Sequence, residues 1–352
     1  MAPEADARTS PRSRRGNYQA FRVESLALRW KRRVLSMSRT YLLLSLLTVL
    51  LPLLLPLAVL TDVLRALIFR TPMTVFRLVL FMWLFLWTEA LSLPLLGMVW
   101  LLTLNHPEAR VEQTFTVQKW WNQALFRIVQ TLFGLKVSVE GQASLHPGPT
   151  LIFIRHSSIV DVLLPVVFVA AREDILLRFV LKRELLNDPC LDIAGQRLPN
   201  YFVSRGTGET RELEGIQHLA QGMGPGEALL IYPEGTRFSP KKRLEALEKL
   251  AAMESPLLEQ AQKLQHVLPP RLGGPLALLE QGLDVVIMAH VGLERLAHFN
   301  DLWRGGLVRR SLHIKFWRVS AEQIPSSREA RARWLYEQWR QIDEWIDTHR
   351  HV

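Results

Sequence analysis

The sequence predicts an α/β protein: a mixed, mostly buried sheet flanked by helices and preceded by an N-terminal hydrophobic helical hairpin. After residue 135, short apolar runs rich in β-branched side chains alternate with longer segments of helical periodicity. This alternation is typical of a sheet whose strands are covered by helices. Before that point, two leucine-rich runs are long enough to form helices that cross a hydrocarbon core.

Seven runs are predicted to be strands of the sheet. Each is three to six residues long and is bounded by turn-forming or charged residues. The predicted strands are Lys136–Glu140, Leu151–Arg155, Leu177–Leu181, Tyr201–Val203, Glu227–Tyr232, Val285–His290 and Leu312–Trp317.

Three helices are predicted around these strands. An amphipathic stripe predicts a helix over Val117–Phe133, and a charged helix broken near Ser255 is predicted over Lys241–Gln265. The C-terminal helix is predicted from a cap at Ser326 or Ser327 to about residue 348, packed on the domain, with membrane contact as the alternative.

The two hydrophobic runs, Tyr41–Leu60 and Leu78–Leu104, are interpreted as membrane helices. Pro52 and Pro56 predict a kink in the first run, so a re-entrant or interfacial hairpin is the alternative to a span. Glu89 interrupts the second run and must be protonated, paired or facing protein and water.

Charge and hydrophobicity divide the chain into four predicted segments. These are a basic N-terminal tail and juxtamembrane segment (1–35), the hydrophobic membrane region (36–110), an α/β domain (111–325) and a C-terminal amphipathic helix (326–352). The net charge of +10 favours an anionic partner. Because the hydrophobic runs are present, that partner is predicted to be membrane lipid, and no nucleic acid is expected.

The basic residues crowd before the first hydrophobic run. If both runs span, this bias places the N-terminus and the α/β domain on the cytoplasmic side of the membrane, the inner membrane in a bacterium. The segment Phe21–Leu35 is interpreted as the positive flank of a span, with an interfacial helix as the alternative.

The chain contains a single cysteine, Cys190, which excludes an internal disulfide framework and indicates a reducing compartment. We interpret it as a buried structural thiol, with a nucleophile as the alternative. The histidines outside the motif described next have no ligand spacing, so no metal site is predicted.

A candidate catalytic pair ends the second predicted strand. His156 follows the apolar run, and Asp161 lies five positions later. Neutral imidazole can accept a proton from an alcohol, and a carboxylate on its other nitrogen fixes the tautomer and stabilises the imidazolium. Ser157 or Ser158 is a candidate cap of the following helix. The alternative is a structural loop histidine beside an acid at a helix start.

A second candidate element follows the strand that Pro233 ends. Glu234, Gly235, Thr236 and Arg237 form a predicted tight turn. Gly235 allows close approach of backbone to a ligand, Thr236 offers a hydroxyl, and Arg237 offers donors matched to phosphate or carboxylate. The turn therefore indicates an anionic ligand.

Together, the H-x-x-x-x-D and P-E-G-T-R motifs resemble those of the glycerophospholipid acyltransferase family, which moves an acyl chain from a thioester to a lipid hydroxyl. The resemblance extends over most of the chain after about residue 120. Within it, Lys182 in KREL, and Phe202 and Arg205 in YFVSR, are similar to further motif residues of the family. The resemblance implies that Arg205 and Arg237 bind phosphate, with Phe202, Lys182 and the rest of the turn at the substrate.

The stretches FSPKK and LPPRLGG look like the branch that contains the lysophosphatidate and lysocardiolipin acyltransferases. Arg155 stands where Asn is common before the histidine, and Pro199 stands where Gly is frequent; both departures bear on acceptor specificity. Val285–His290 lacks the proline that is usual in the fourth motif of the family. Members of the branch just named also tend to lack this proline.

The resemblance implies a membrane-bound 1-acylglycerol-3-phosphate acyltransferase that forms phosphatidic acid. His156 is the expected general base and Asp161 orients it. The expected donor is acyl-CoA as co-substrate, with an acyl carrier protein as the alternative, and no cofactor is expected. Other lysophospholipids such as lysocardiolipin, or glycerol 3-phosphate, are alternative acceptors. Thioester hydrolysis and non-catalytic lipid binding are the alternative functions.

Overall fold

The computed structural model describes residues 24–203, 209–296 and 299–350. Within them the strands form one seven-stranded sheet in the order β1-β7-β6-β2-β5-β3-β4. Only β6 and β7 pair antiparallel; the other neighbours are parallel. The strands are β1 Lys136–Glu140, β2 Thr150–Ile154, β3 Leu176–Lys182, β4 Tyr201–Val203, β5 Glu227–Ile231, β6 Asp284–Val291 and β7 Ser311–Val319.

The central strands are buried on both faces, which explains why they read as continuous apolar runs. Every residue of β2 and β5 is buried. Along β2 the side chains alternate: Ile152 and Ile154 face one hydrophobic cluster, and Leu151 and Phe153 face the other. The predicted mixed, mostly buried sheet is confirmed, and the largest difference at a strand end is the extension of β7 from residue 317 to residue 319.

Helices cover both faces of the sheet and precede it in the chain. They are α1 Leu26–Phe69, α2 Val75–Leu102, α3 Pro107–Phe133, α4 Leu163–Pro165, α5 Pro189–Arg197, α6 Glu209–Ala220, α7 Pro240–Ala252, α8 Leu258–Lys263, α9 Gly273–Leu279, α10 Phe299–Trp303 and α11 Arg328–His349. A six-residue π-helical stretch, Val166–Ala171, continues α4.

Two helices begin earlier than the hydrophobic pattern predicts. Helix α1 starts at Leu26 in the basic segment and continues through Pro52 and Pro56 without a break. Helix α3 starts at Pro107, ten residues before the predicted Val117, because a proline at the first turn and an acid beside it are favourable at a helix start although they are not apolar.

Polar contacts hold the two helices of the hydrophobic hairpin together and tie the hairpin to the rest of the protein. The carboxylate of Asp62, which is fully buried, accepts the backbone N–H groups of Thr74, Val75 and Phe76 and so caps α2. Near the start of α1, Arg32 donates to both oxygens of Asp192 in α5, at 3.1 and 2.9 Å.

Both hairpin helices are long and apolar enough to cross a membrane. Large apolar side chains remain exposed along both helices, and they are fewer in the sheet domain. These side chains include Leu42, Leu46, Val49, Leu53, Leu57, Leu60 and Leu64 of α1 and Met82, Leu91, Met98 and Leu101 of α2.

Helix α11 packs on the sheet domain. Ser327 caps it by accepting the N–H of Ala330, as the sequence predicts. Leu335, Trp339 and Ile342 of α11 are fully buried in the cluster that also holds one face of β2. The four segment boundaries proposed from the sequence stay a prediction.

Candidate active site

The topology brings the predicted motifs to one edge of the sheet. Strands β2, β5, β3 and β4 are neighbours and all run parallel, so their carboxyl ends meet. His156 follows β2, Glu234 follows β5, Lys182 ends β3, and Phe202 lies in β4. Ligands of open α/β sheets bind at this edge. Arg205, the remaining predicted residue, lies outside the described residues.

His156 and Asp161 are in contact. The Nδ1 atom of His156 lies 3.1 Å from Oδ2 of Asp161. An ionised carboxylate only accepts hydrogen bonds, so Nδ1 carries the proton and Nε2 is the nitrogen that can accept one. The side chain of His156 is 19% exposed, whereas that of Asp161 is fully buried. The pair therefore presents a base whose tautomer is fixed by the buried carboxylate of Asp161.

Asp161 is held in place by the chain before it. Its Oδ2 also accepts the backbone N–H groups of Ser157, at 2.6 Å, and Ser158, at 2.8 Å. Burial alone would raise the pKa of Asp161, but its interactions with His290 and His156 outweigh burial and lower the pKa below its ordinary value. Asp161 is therefore a carboxylate at neutral pH.

The expected serine cap is wrong. Helix α4 begins at Leu163, and the hydroxyl of Ser158 accepts the N–H of Val160 within the turn rather than capping a helix. The carboxylate of Asp161 satisfies the amides of this turn instead, because a charged acceptor forms stronger hydrogen bonds than a hydroxyl.

Tyr232, the residue after β5, contacts both members of the pair. Its ring centroid lies 4.6 Å from that of His156, with an angle of 40° between the planes. Its hydroxyl donates to the backbone carbonyl of Asp161 at 3.2 Å. Burial, together with the charge of Asp161, raises the pKa of Tyr232, so it remains a phenol.

Glu234 has a structural position that the sequence did not reveal. Its Oε1 accepts the N–H of His156 at 2.9 Å, and its Oε2 accepts the N–H of Leu268 at 3.0 Å. The carboxyl group thus links three segments: the turn after β2, the turn after β5 and the segment before α9. Burial raises the pKa of Glu234 to about 8, although both amides act in the opposite direction.

The segment that follows α8 is itself held by the C-terminal helix. Asp343 of α11 accepts the backbone N–H groups of Gln265, His266 and Val267. The next amide, that of Leu268, is the one that reaches Glu234. A chain of carboxylate contacts therefore runs from α11 to the backbone of the histidine turn.

The turn after Glu234 is rich in cations. Gly235 has φ of +66°, and a Cβ atom there would lie 2.8 Å from Nε of Arg271, so only glycine fits without displacing Arg271. The Nζ atom of Lys242 donates to the hydroxyl of Thr236 at 2.9 Å and to the carbonyl of Arg237 at 3.1 Å. Sequence reasoning missed Lys242 and Arg271.

Lys182 belongs to the same electrostatic environment. Burial and the nearby charges of Arg237 and Lys182 lower the pKa of Lys242. Phe202, in contrast, packs toward α5, because a Cβ atom on Gly195 would lie 2.9 Å from the end of its ring. The structure therefore groups Lys182 with the cationic turn and places the ring of Phe202 against a neighbouring helix.

The backbone N–H groups next to His156 and at Gly235 are already engaged in hydrogen bonds. The amides of Ser157 and Ser158 donate to Asp161, and the amide of Gly235 donates to the carbonyl of Tyr232 at 2.9 Å. These three N–H groups point into the turns that they stabilise.

Arg155 is a structural clamp. Its side chain is fully buried, and Nη1 donates at 2.6 Å both to the carbonyl of His290 and to the carboxylate of Glu294. Its Nη2 donates to the carbonyl of His266 at 3.0 Å. A side chain with these partners fixes the loops around the histidine turn.

Cys190 is buried, and its thiol contacts the backbone carbonyl of Glu89 at 3.6 Å. Burial raises the pKa of this thiol above its ordinary value, which favours a structural role. Within residues 24–203, 209–296 and 299–350, no group of three or more His, Cys, Asp and Glu side chains could hold a metal ion.

Comparisons with known proteins agree with this architecture. Residues 136–267 match the protein-family model described as Acyltransferase. A search of curated proteins gives no match. Among solved structures, the fold is similar to that of the 1-acyl-sn-glycerophosphate (LPA) acyltransferase PlsC from Thermotoga maritima, with a TM-score of 0.51 and 18% sequence identity over 77% of this chain and 98% of that one.

Proposed function

We propose that residues 136–267, which match the Acyltransferase family model, are a glycerophospholipid acyltransferase domain, and that the protein transfers an acyl group from acyl-CoA to the free hydroxyl of 1-acylglycerol 3-phosphate. The product is phosphatidic acid and the leaving group is the thiol of coenzyme A. The observation that carries the proposal is the contact of 3.1 Å between His156 Nδ1 and the buried carboxylate of Asp161.

This pair suits activation of an alcohol. With Nδ1 donating to Asp161, Nε2 of His156 accepts the proton of the acceptor hydroxyl as its oxygen attacks the thioester carbon. The buried carboxylate stabilises the imidazolium that forms. A thioester is already activated, so direct attack by the alcohol requires no covalent intermediate on the protein. The imidazolium then returns the proton to the departing thiolate.

The cations beside the pair support a phosphate-bearing acceptor. Lys182, Arg237 and Lys242 lie within electrostatic reach of one another, and Arg271 lies against Gly235. Cations crowded in this way are stabilised by a dianionic group, and the guanidinium groups offer bidentate hydrogen bonds to phosphate oxygens. Water as an acceptor would need no such group, so the cations favour acyl transfer over hydrolysis.

We also propose that α1 and α2 associate with the membrane. Their exposed leucines and methionines are suited to a hydrocarbon environment. Lys31, which is exposed at the start of α1, is suited to anionic headgroups on the cytoplasmic side. This location would bring the active site to its lipid acceptor.

The test measures incorporation of a labelled acyl group from acyl-CoA, or from acyl carrier protein, into lysophosphatidate, other lysophospholipids and glycerol 3-phosphate. His156→Ala is compared with His146→Ala, a histidine that is half exposed and pairs with Glu173. We expect lysophosphatidate to be the preferred acceptor. His156→Ala should lose nearly all activity, and His146→Ala should retain it.

If another acceptor is preferred, the proposed acyl transfer stands and that acceptor replaces lysophosphatidate as the proposed substrate. Release of free fatty acid without transfer would establish hydrolysis instead. If the wild type is inert with every donor and acceptor, while it still binds lysophospholipid, the protein is a lipid-binding protein and the enzymatic proposal is wrong.

A further inference from the structure

A second histidine lies behind the proposed catalytic pair. His290 is near the end of β6, which runs parallel to β2 with Met288 opposite Ile154. This register places His290 beside the residues that follow β2. Its side chain is fully buried. The sequence motifs did not identify His290 as a residue of the site, because β6 is far from β2 in the sequence.

The Nε2 atom of His290 faces two acceptors. It lies 3.2 Å from the carbonyl oxygen of Arg155 and 3.5 Å from Oδ1 of Asp161. Since neither oxygen can donate, Nε2 must carry a proton. Within the described part of the chain, Oδ1 of Asp161 and Nδ1 of His290 are buried and have no hydrogen-bond partner. The Nε2–H of His290 therefore donates to the carbonyl of Arg155, and it faces Oδ1 of Asp161 through an electrostatic contact of 3.5 Å rather than a hydrogen bond.

Burial keeps His290 neutral, although two of the three charges that face it act in the opposite direction. Asp161 faces it from the turn after β2, Arg155 from the end of β2 and Glu294 from the turn after β6. Burial lowers the pKa of His290, with Asp161 opposing this shift and Arg155 adding to it. A neutral imidazole with its proton on Nε2 is a fixed dipole directed at Asp161.

We propose that His290 is a positioning residue that holds Asp161 from the side opposite His156, so that one buried carboxylate is shared by two histidines. This inference rests on the proposed role of the His156–Asp161 pair. The His290 N–H withdraws charge from the carboxylate and compensates the burial of Oδ1. The carboxylate then stays ionised and keeps its contact with Nδ1 of His156.

Removal of His290 has a defined consequence. Without its N–H, the carboxylate of Asp161 loses the dipole that faces Oδ1 and holds more of its charge toward His156. Both changes raise the pH at which the pair takes up a proton. Tyr232 and Glu234, which also face Asp161, keep their side chains in this variant.

The experiment compares three variants with the wild type. His290→Leu removes the N–H, and His290→Gln places an amide N–H near the position of Nε2. Met288→Leu is the control, because Met288 is equally buried two positions earlier on the same face of β6 and carries no N–H in its side chain. The first readout is the dependence of kcat and KM on pH. The second, which needs no turnover, is the pH dependence of His156 modification by diethyl pyrocarbonate, followed by peptide mass spectrometry.

We expect His290→Leu to lower kcat about tenfold with little change in KM, and to move the acid limb of kcat upward by about half a unit to one unit. The protonation midpoint of His156 should move by the same amount in the modification assay. His290→Gln should lie within about threefold of the wild type, since it restores the donor, and Met288→Leu should match the wild type.

An unchanged His156 midpoint in His290→Leu overturns the proposal, whatever happens to turnover, and so does equal behaviour of the Leu and Gln variants. A shifted midpoint in a protein that acylates no acceptor would support the role of His290 and contradict the proposed function instead. The two ideas therefore fail by different measurements.

Discussion

The turn after β2 and the turn after β5 each bury a carboxyl group completely, yet the two groups differ in charge. The pKa of Asp161 is lowered, whereas that of Glu234 is raised to about 8. Asp161 accepts three N–H groups on one oxygen and is faced by two histidines. Glu234 accepts one neutral amide on each oxygen and lies near the negative charge of Asp161. Burial is common to both, so the partners decide the charge.

This difference assigns different tasks to the two turns. The turn after β2 holds a charge beside the base, which is what proton transfer from an alcohol requires. In the turn after β5, a carboxyl group with a raised pKa links two backbone segments by hydrogen bonds. The cations of the site belong to this turn and its neighbours. Each turn can be perturbed separately.

The largest effect is expected for Asp161→Asn, which removes the charge at nearly constant volume. We expect kcat to fall about 1,000-fold, because an amide can neither fix the His156 tautomer nor stabilise the imidazolium. Since folding lowers the pKa of Asp161, its contribution to stability is present above its unfolded pKa and is lost as the pH falls. Initial rates and thermal unfolding at pH 7 test both points.

The control for this variant is Asp174→Asn, because Asp174 is 63% exposed and pairs with Lys119 at the surface. It should leave both rate and stability unchanged. Activity of Asp161→Asn within tenfold of the wild type would contradict the assignment of Asp161 as the partner of the base.

The second prediction concerns Glu234, whose contribution to stability should depend on pH in the opposite direction to that of Asp161. Its pKa is raised from 4.5 to about 8, so the folded protein retains a proton that the unfolded chain loses, and stability falls as the pH rises through this interval. Glu234→Gln should flatten the dependence of stability on pH between 4.5 and 8. It should also cost about 1–2 kcal/mol at low pH, because its NH₂ group cannot accept the second amide.

Unfolding by denaturant at several pH values, in one detergent throughout, measures the effect. If wild type and Glu234→Gln give parallel curves, Glu234 is ionised in the folded protein and the contrast between the two turns disappears.

A smaller effect is expected for Lys242→Met, which removes the cation that contacts Thr236 and the Arg237 carbonyl. KM for a phosphate-bearing acceptor should rise about fivefold, since one charged contact contributes on the order of 1 kcal/mol. The neighbouring Lys241→Met is the matched control, because Lys241 is 87% exposed and pairs with Glu245. Equal KM values for the two variants would exclude Lys242 from the acceptor site.

The smallest effect is expected from a comparison of two glycines with the same backbone conformation. Gly235 and Gly282 both have φ of +66°, but only at Gly235 would a Cβ atom meet another residue, Arg271. Substitution by alanine should cost each about 1 kcal/mol of stability. Gly235→Ala should in addition raise the acceptor KM about twofold by displacing Arg271. The same KM in both variants would show that Arg271 does not bind the acceptor.

The sequence was sufficient for the centre of the sheet, because the central strands are buried on both faces and therefore stand out as apolar runs. It was insufficient where structure depends on contacts between distant segments. The start of α1 lies in the basic segment that was interpreted as a flank, and the first turn of α3 is polar, so both helices begin earlier than expected. The π-helical stretch Val166–Ala171 has no sequence signature of its own.

The candidate site divides in the same way. His156 and Asp161 are five residues apart, and their contact could be predicted from local geometry. His290 and Arg271 reach the site only because β6 pairs with β2 and the segment after α8 lies against Pro233. Glu234 was identified by its motif, but its partners, the amides of His156 and Leu268, require the folded chain.

The contact between Asp343 and the 265–267 segment has a consequence for biogenesis. The C-terminal helix that carries Asp343 follows every residue of the candidate site in the sequence, so it is the last of these elements to leave the ribosome. Until then, the segment that holds the second oxygen of Glu234 lacks its anchor. A nascent chain can thus form the sheet while the histidine turn is still unbraced, and the site is complete only after α11 has been synthesised.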